Sequence, residues 1–298
     1  MYMKMAKKWI ALLMAALMLL SAAAFAEEAA VEAQPEWWNI LLLGGDSRSL
    51  ESYDRTDTMI ILSVNREESR MKMTSIMRDV WVQYSEKSFE KINAANVFGG
   101  PELAMKVVNE NFGTDIEHYI LVNMNGLVEL IDMIGGVTVE VSESEREHTN
   151  KIAQSFLNET AGYDGKSTLD KSGNVHLNGL LAVAYLRNRS TDNDFGRVMR
   201  QQKVLLAAAQ QAQESDVDAL MELADDFAQR IQTNMTTDQL KEIAMAGLVT
   251  DIETVEQFRI PVDGTFEDGT FNGTWMIRPN FEKNEALLHD FIYAAEQE

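Results

Sequence analysis

Ile40 to Leu43 is an unbroken apolar run that stops at Gly44-Gly45-Asp46-Ser47-Arg48, which predicts a buried strand running into a polar turn. Thr58 to Val64 and Met71 to Ile76 predict two more strands, joined by the charged turn Asn65 to Arg70. Val80 to Tyr84, His118 to Val122 and the alternating Val137 to Val141 extend the set. Helical spacing falls on Pro101 to Asn111, with proline suited to a first turn, and on Gly126 to Ile134, closed by Gly135-Gly136. Ser142 to Asn174 is polar and without clear period, and reads as a long surface excursion. Further helices are predicted over Leu177 to Tyr185, Phe195 to Gln213, Asp216 to Gln232 and Thr237 to Leu248. The last has Thr236-Thr237 to cap it and Asp238 in its first turn. Strands over Val255 to Pro261 and Thr274 to Ile277 precede a closing helix, Asn280 to Ala295. Strands and helices interleave throughout. The class is α/β or mixed α+β, with a central, mostly antiparallel or mixed sheet flanked by helices.

Composition narrows what such a fold does. The chain has 298 residues, 47 acidic and 26 basic side chains, and a net charge of −21. Nucleic acid is excluded as a partner, because phosphate backbones need a broad basic footprint. Cysteine is absent, so disulfides, thiolate metal sites and cysteine nucleophiles are ruled out. Lys4, Lys7 and Lys8 precede the apolar run Trp9 to Leu20, and Ala24-Phe25-Ala26 reads as a cleavage site. Residues 1–26 are therefore a signal peptide or, at the lower edge of bilayer-spanning length, a membrane anchor. Either reading puts the rest outside the cytoplasmic membrane, secreted or on its outer face. Residues 27–36 form an acidic, alanine-rich linker, and 37–298 a single folded domain.

The charged residues gather at predicted element ends. Asp46 and Arg48 close the first strand, Arg55 and Asp57 precede the second, and Arg78-Asp79 follow the third. Ligands of open α/β sheets collect at strand ends. The stretch Asn174 to Gln202 adds Arg187, Arg189, Arg197 and Arg200. Arg187 and Arg189 share a face in an extended segment, and Arg197 and Gln201 share one on a helix beginning near Asp194. Two readings stand: ion pairs bracing loops, or a guanidinium clamp for phosphate with Asp46 and Asp57 holding a hard metal ion. Met199, Leu205, Leu206, Leu220, Met221, Leu223 and Phe227 are core by ordinary amphipathicity or line an apolar groove.

Seven blocks decide between these readings. They are Asn39-ILLLGGDSR-Arg48, Arg55-TDTMIILSVN, Met73-TSIMRDVWV, Lys91-INAANVFGG, Tyr119-ILVNMNGLVELIDMIGGVTVEV, Leu177-NGLLAVAYLRNR and Asp194-FGRVMRQQ. In this order the chain resembles the LytR-CpsA-Psr (LCP) family of Gram-positive cell envelopes. The resemblance implies an α/β fold with a hydrophobic lipid-binding groove. It also implies a phosphotransferase that moves a glycopolymer, with one phosphate, from a polyprenyl-pyrophosphate carrier to a peptidoglycan hydroxyl at the membrane surface. Wall teichoic acid and capsular polysaccharide are the typical cargoes. By motif match, Asp46 and Asp57 would hold Mg2+ (or Mn2+). Arg78, Arg187, Arg189, Arg197 and Gln201 would bind the pyrophosphate, with Arg55 close by and Lys91 at the head group. Asp79 or Asp194 would act as general base or orient an arginine. A pyrophosphate hydrolase and a non-catalytic lipid- or polymer-binding regulator remain the alternatives. Family members usually keep an N-terminal membrane helix, from which the A-x-A pattern departs.

Overall fold

Strand β1 (Trp37–Gly45) takes the middle of the sheet because Ile40, Leu41 and Leu43 are shut off from water on both of its faces. It pairs antiparallel with β2 (Thr56–Asn65), which pairs antiparallel with β3 (Arg70–Ile76). The β2–β3 turn is set by Asn65, whose Oδ1 accepts from the backbone N–H groups of Glu67 and Glu68. On its other side β1 runs parallel to β6 (His118–Val122). The full six-stranded order is β10-β3-β2-β1-β6-β9, with β9 at Ile231–Thr233 and β10 at Glu256–Ile260. Both parallel and antiparallel neighbours occur, so the sheet is mixed.

The computed structural model describes residues 37–47, 52–65, 67–85, 88–157, 163–188, 194–214, 226–271 and 273–294, all within one compact unit, Trp37–Glu298. Residues 1–36, Arg48, Arg189 and the side chain of Asp194 lie outside the described residues. No helix among the described residues is long and apolar enough to cross a membrane.

The two sheet faces are covered differently. On one, Leu41, Leu43, Met59 and Ile61 pack against helix α1 (Ala95–Phe112) and helix α7 (Phe281–Tyr293) in a closed core. Lys72 fixes α7 by donating from Nζ to the Phe291 carbonyl at 2.6 Å. On the other face, Ile40, Val64 and Met73 lie under α5 (Asp194–Gln213) and α6 (Thr237–Val249). A third cluster joins α2 (Met124–Met133), α3 (Glu143–Leu157), α4 (Gly179–Leu186) and the β7–β8 pair, Val137–Val141 with Gly173–Leu177. Two further hairpins, β4–β5 (Trp81–Ser85, Ser88–Lys91) and β11–β12 (Phe266–Phe271, Thr274–Pro279), complete the described strands.

Most predicted elements are present within a few residues, and the exceptions have physical causes. The expected excursion over 142–174 holds α3 and the start of β8. Only Thr149, Ala153 and Phe156 of α3 are buried, a stripe too narrow to stand out among its charges. Within the helix expected to reach Gln232, Ile231 and Gln232 instead form β9, three residues being too short for alternation to register. The helix predicted from Pro101 is continued backward to Ala95 through a break at Gly99-Gly100, where φ reaches 73°.

Candidate active site

Strand directions bring the charged residues together. β1 and β6 end, and β2 begins, at one edge of the sheet, because β1 is antiparallel to β2 and parallel to β6. β3 runs out at the same edge into Arg78-Asp79. There a cleft of about 70 Å³ is lined by Gly44, Gly45, Asp46, Asp57, Thr58, Asn123, Arg187, Arg197 and Gln201, among others. Gly44 is required there, since a Cβ would meet the Thr58 side chain at 2.9 Å.

Asp57 is the hub. Its Oδ2 accepts from Arg78 at 2.6 Å and faces Arg197 at 3.6 Å, while Oδ1 accepts from the Asn93 amide at 3.3 Å. Asn93 Oδ1 in turn accepts from Arg55 at 3.0 Å. Arg78 also reaches Asp79 at 3.2 Å, and Lys91 donates to the other oxygen of Asp79 at 2.5 Å. One carboxylate thus orients Arg78 and Arg197, and a second orients Arg78 and Lys91. Gln201 donates to Thr58 Oγ1 at 2.7 Å and lies beside the Asp57 carbonyl. Arg187 caps α4 and stands 3.9 Å from Asp46; both side chains are well exposed, at 37% and 50%.

These described side chains are five cations (Arg55, Arg78, Lys91, Arg187, Arg197) and three carboxylates (Asp46, Asp57, Asp79). The excess is positive, in a chain of net charge −21. The cleft itself is lined by two carboxylates and two arginines, and the excess comes from Arg55, Arg78 and Lys91 beside it; an excess of that sign concentrates anions. Arg78 and Arg197 are held by Asp57 before any ligand arrives, which is what electrostatic stabilisation of a developing charge requires.

The backbone around Arg78-Asp79 is tied on several sides. The Arg78 carbonyl accepts from Asn93 N, the Asp79 carbonyl from Ile277 N, and Ile92 N donates to Val80 O. Arg200 is the arginine of the cluster that braces rather than lines the cleft. It is buried, donates to the Asn188 carbonyl at 2.6 Å and meets Glu145 at 3.4 Å. Burial pushes the Glu145 carboxyl up, but the Ser142 backbone N–H and hydroxyl, with the Arg200 charge, outweigh it and hold it below its ordinary value.

The structure therefore gathers Asp46, Asp57, Arg55, Arg78, Asp79, Lys91, Arg187, Arg197 and Gln201 at one edge. Arg189 and the Asp194 side chain fall outside the described residues. Asn93, Thr58 and Asn123 were not predicted. Asn93 sits inside the Lys91-INAAN block, which was the only signal for it. Among the described residues there is no group of three or more His, Cys, Asp or Glu able to cage a metal. Two carboxylates in a cleft with room for phosphate oxygens fit Mg2+, which keeps most of its shell as water and phosphate.

A second space lies beyond the cleft. About 350 Å³ between the sheet and helices α5 and α6 is lined by Leu62, Met71, Met73, Leu205, Leu206, Ala209, Ala212, Phe227 and Gly247, among others. Leu205, Leu206 and Phe227, which amphipathicity alone would assign to core, all face it. Met199 is exposed instead, and Leu220, Met221 and Leu223 lie outside the described residues. The two spaces share a helix face: Arg197 and Gln201 line the cleft, and Leu205, Ala208 and Ala212 follow on the same stripe of α5.

Comparison with known proteins gives concordant results. The LytR_cpsA_psr family profile matches residues 20–289. The chain is 36% identical over 248 residues to a polyisoprenyl-teichoic acid–peptidoglycan teichoic acid transferase TagU of Oceanobacillus iheyensis, covering 80% of this chain and 69% of that one. It is 31% identical over 230 residues to the Bacillus mycoides protein of the same name, covering 76% and 69%. In fold it matches B. subtilis TagV with a TM-score of 0.68 at 24% identity, over 88% of this chain and 99% of that one. It also matches TagT bound to LI-WTA, with a TM-score of 0.68 at 24% identity, over 86% and 89%.

Proposed function

The chain belongs to the LytR_cpsA_psr family, and from that membership we propose that it transfers a teichoic-acid-type glycopolymer from a polyisoprenyl pyrophosphate to a hydroxyl of peptidoglycan. The observation that carries the reading is the stripe on α5, which runs from Arg197 and Gln201 at the charged cleft to Leu205, Ala208 and Ala212 at an apolar space. That stripe covers ~22 Å of helix. It suits a substrate with a doubly charged head and a long hydrocarbon tail, each buried CH2 contributing about 0.8 kcal/mol. In this reading the 350 Å³ space takes the proximal part of the tail.

The chemistry follows from the charges. The acceptor oxygen forms a bond to the phosphorus that carries the glycopolymer. The bond from that phosphorus to the bridging oxygen breaks, and the lipid monophosphate leaves with the electron pair. Arg78, Arg187 and Arg197 stabilise the charge that grows on the phosphoryl and bridging oxygens, with Gln201 beside them, and Arg189 is the further arginine that the motif match assigns to this role. Asp46 and Asp57 would hold Mg2+, which supplies charge neutralisation and polarisation of the phosphoryl group when bound. Asp79, clasped by Arg78 and Lys91, supports a positioning role. The hydroxyl proton leaves to a carboxylate or to solvent, and Asp194 is the remaining candidate for accepting it. The reading places the reaction outside the cytoplasmic membrane, where residues 1–26 would direct or hold the chain.

Purified protein incubated with Mg2+, a polyprenyl-pyrophosphate-linked saccharide and peptidoglycan glycan strands tests this. Lipid monophosphate is expected as product, and is expected to vanish with EDTA. Intact donor after prolonged incubation would leave only a binding role.

A further inference from the structure

Beside the Lys91 end of the charge network lie aromatic rings that the fold does not bury. Lys91 Nζ stands 5.9 Å from the centre of the Trp275 ring, and Trp275 is 38% exposed. Phe89, two residues before Lys91 on β5 and so on its face of the hairpin, is 48% exposed. Trp81, half-buried, is the cross-strand partner of Lys91. Trp275 comes from the other hairpin, brought in because Val80 pairs with Ile277 and the Asp79 carbonyl accepts from Ile277 N. Two hairpins distant in sequence thus present Trp275, Phe89 and Trp81 around one lysine that is bonded to Asp79.

We propose that Trp275 and Phe89 form the platform on which a sugar ring of the peptidoglycan acceptor stacks, with Lys91, held by Asp79, meeting its hydroxyl groups. The proposal rests on the transferase reading above and deepens it. Exposed rings beside fixed polar groups suit a pyranose, which offers an apolar face and a polar rim. The direction of the chemistry selects the acceptor over the donor. Along the β3 path, Met71 and Met73 line the apolar space, Ser75 bonds Gln202, Arg78 holds Asp57, and Val80 reaches the Trp275 hairpin. In phosphoryl transfer the attacking and leaving oxygens lie roughly in line. The tail side fixes the leaving oxygen, so the attacking hydroxyl arrives from the opposite side, where Lys91 and Trp275 stand.

The test is steady-state transfer with soluble, uncrosslinked peptidoglycan glycan strands as acceptor, comparing wild type with Trp275→Ala, Phe89→Ala and the conservative Trp275→Tyr. Both alanine variants are expected to raise the acceptor KM by about tenfold or more. Donor KM stays within about twofold, and Trp275→Tyr recovers most of the loss. Melting curves confirm that each variant is folded, and glycan-strand binding by calorimetry gives a readout independent of turnover. Glycan binding lost in the alanine variants while wild type fails to transfer would sink the transferase reading and leave the platform standing. Transfer by all variants with unchanged acceptor KM would overturn the platform and leave the reading intact. A rise confined to donor KM would assign the rings to the donor's saccharide, and lost binding to anionic lipid vesicles with acceptor KM unchanged would assign them to the membrane surface; either overturns the proposal.

Discussion

Asp57 determines how its neighbours behave. Its carboxylate faces Arg78 and Arg197, and Arg197 is only 6% exposed, so the pair is braced whether or not a ligand is bound. Arg187 differs: it is 37% exposed and its contact to Asp46 is 3.9 Å. Arg187→Ala is therefore expected to cut transfer about a hundredfold or more while moving the melting temperature by less than about 2 °C, read by activity and calorimetry on one sample. A large drop in melting temperature would make Arg187 a brace. Glu145 gives a pH prediction. Its folded-state pKa is lowered from 4.5, so its contribution to stability is full above that value and is lost as pH falls below it. Denaturation of wild type and Glu145→Gln across pH 3 to 7 should show the two curves converging below about pH 4.5. Parallel curves would mean that the Arg200 and Ser142 contacts do not hold the charged form.

At the scale of elements, α4 and α5 carry the arginines and depend on what packs behind them. Gly179 opens α4 against α2 so closely that a Cβ would run into the Val128 backbone. Arg200, 2% exposed, holds the carbonyl of Asn188, next to Arg187. Arg200→Met is expected to cost about 3 kcal/mol by urea denaturation, because Glu145 loses its buried partner. A change under about 1 kcal/mol would show the brace to be dispensable. Elements differ in how plainly the sequence shows them. β1 was legible because four consecutive apolar residues can hardly be anything but buried, and α6 because Thr236-Thr237 offered a cap and Asp238 an acidic first turn; the structure makes Thr236 the cap, in a capping box with Gln239. α3 was hidden by its charges and β9 by its brevity. Arg197 and Arg200 look alike in spacing and charge; the motif match assigns Arg197 alone of the two to the pyrophosphate, and the fold puts Arg197 at the cleft and Arg200 behind it as a brace. Asn93 carries no charge to draw attention, although it links Arg55 to Asp57.

For the whole molecule, the two faces of the sheet divide the work. One is a closed core under α1 and α7; the other keeps about 350 Å³ of apolar space under α5 and α6. Filling that space by Ala209→Trp should raise the KM for a long-tailed donor about tenfold and leave a short-tailed analogue unaffected, since only the long tail reaches it. Equal effects on both donors would remove the tail from this space. Transfer and hydrolysis differ in where the phosphate goes. A donor labelled in the glycan-proximal phosphate, mixed with the full chain and peptidoglycan, should deliver that label to peptidoglycan, with one lipid monophosphate released per label transferred. Equal release of phosphorylated glycan into solution with and without peptidoglycan would contradict it and make the protein a pyrophosphate hydrolase.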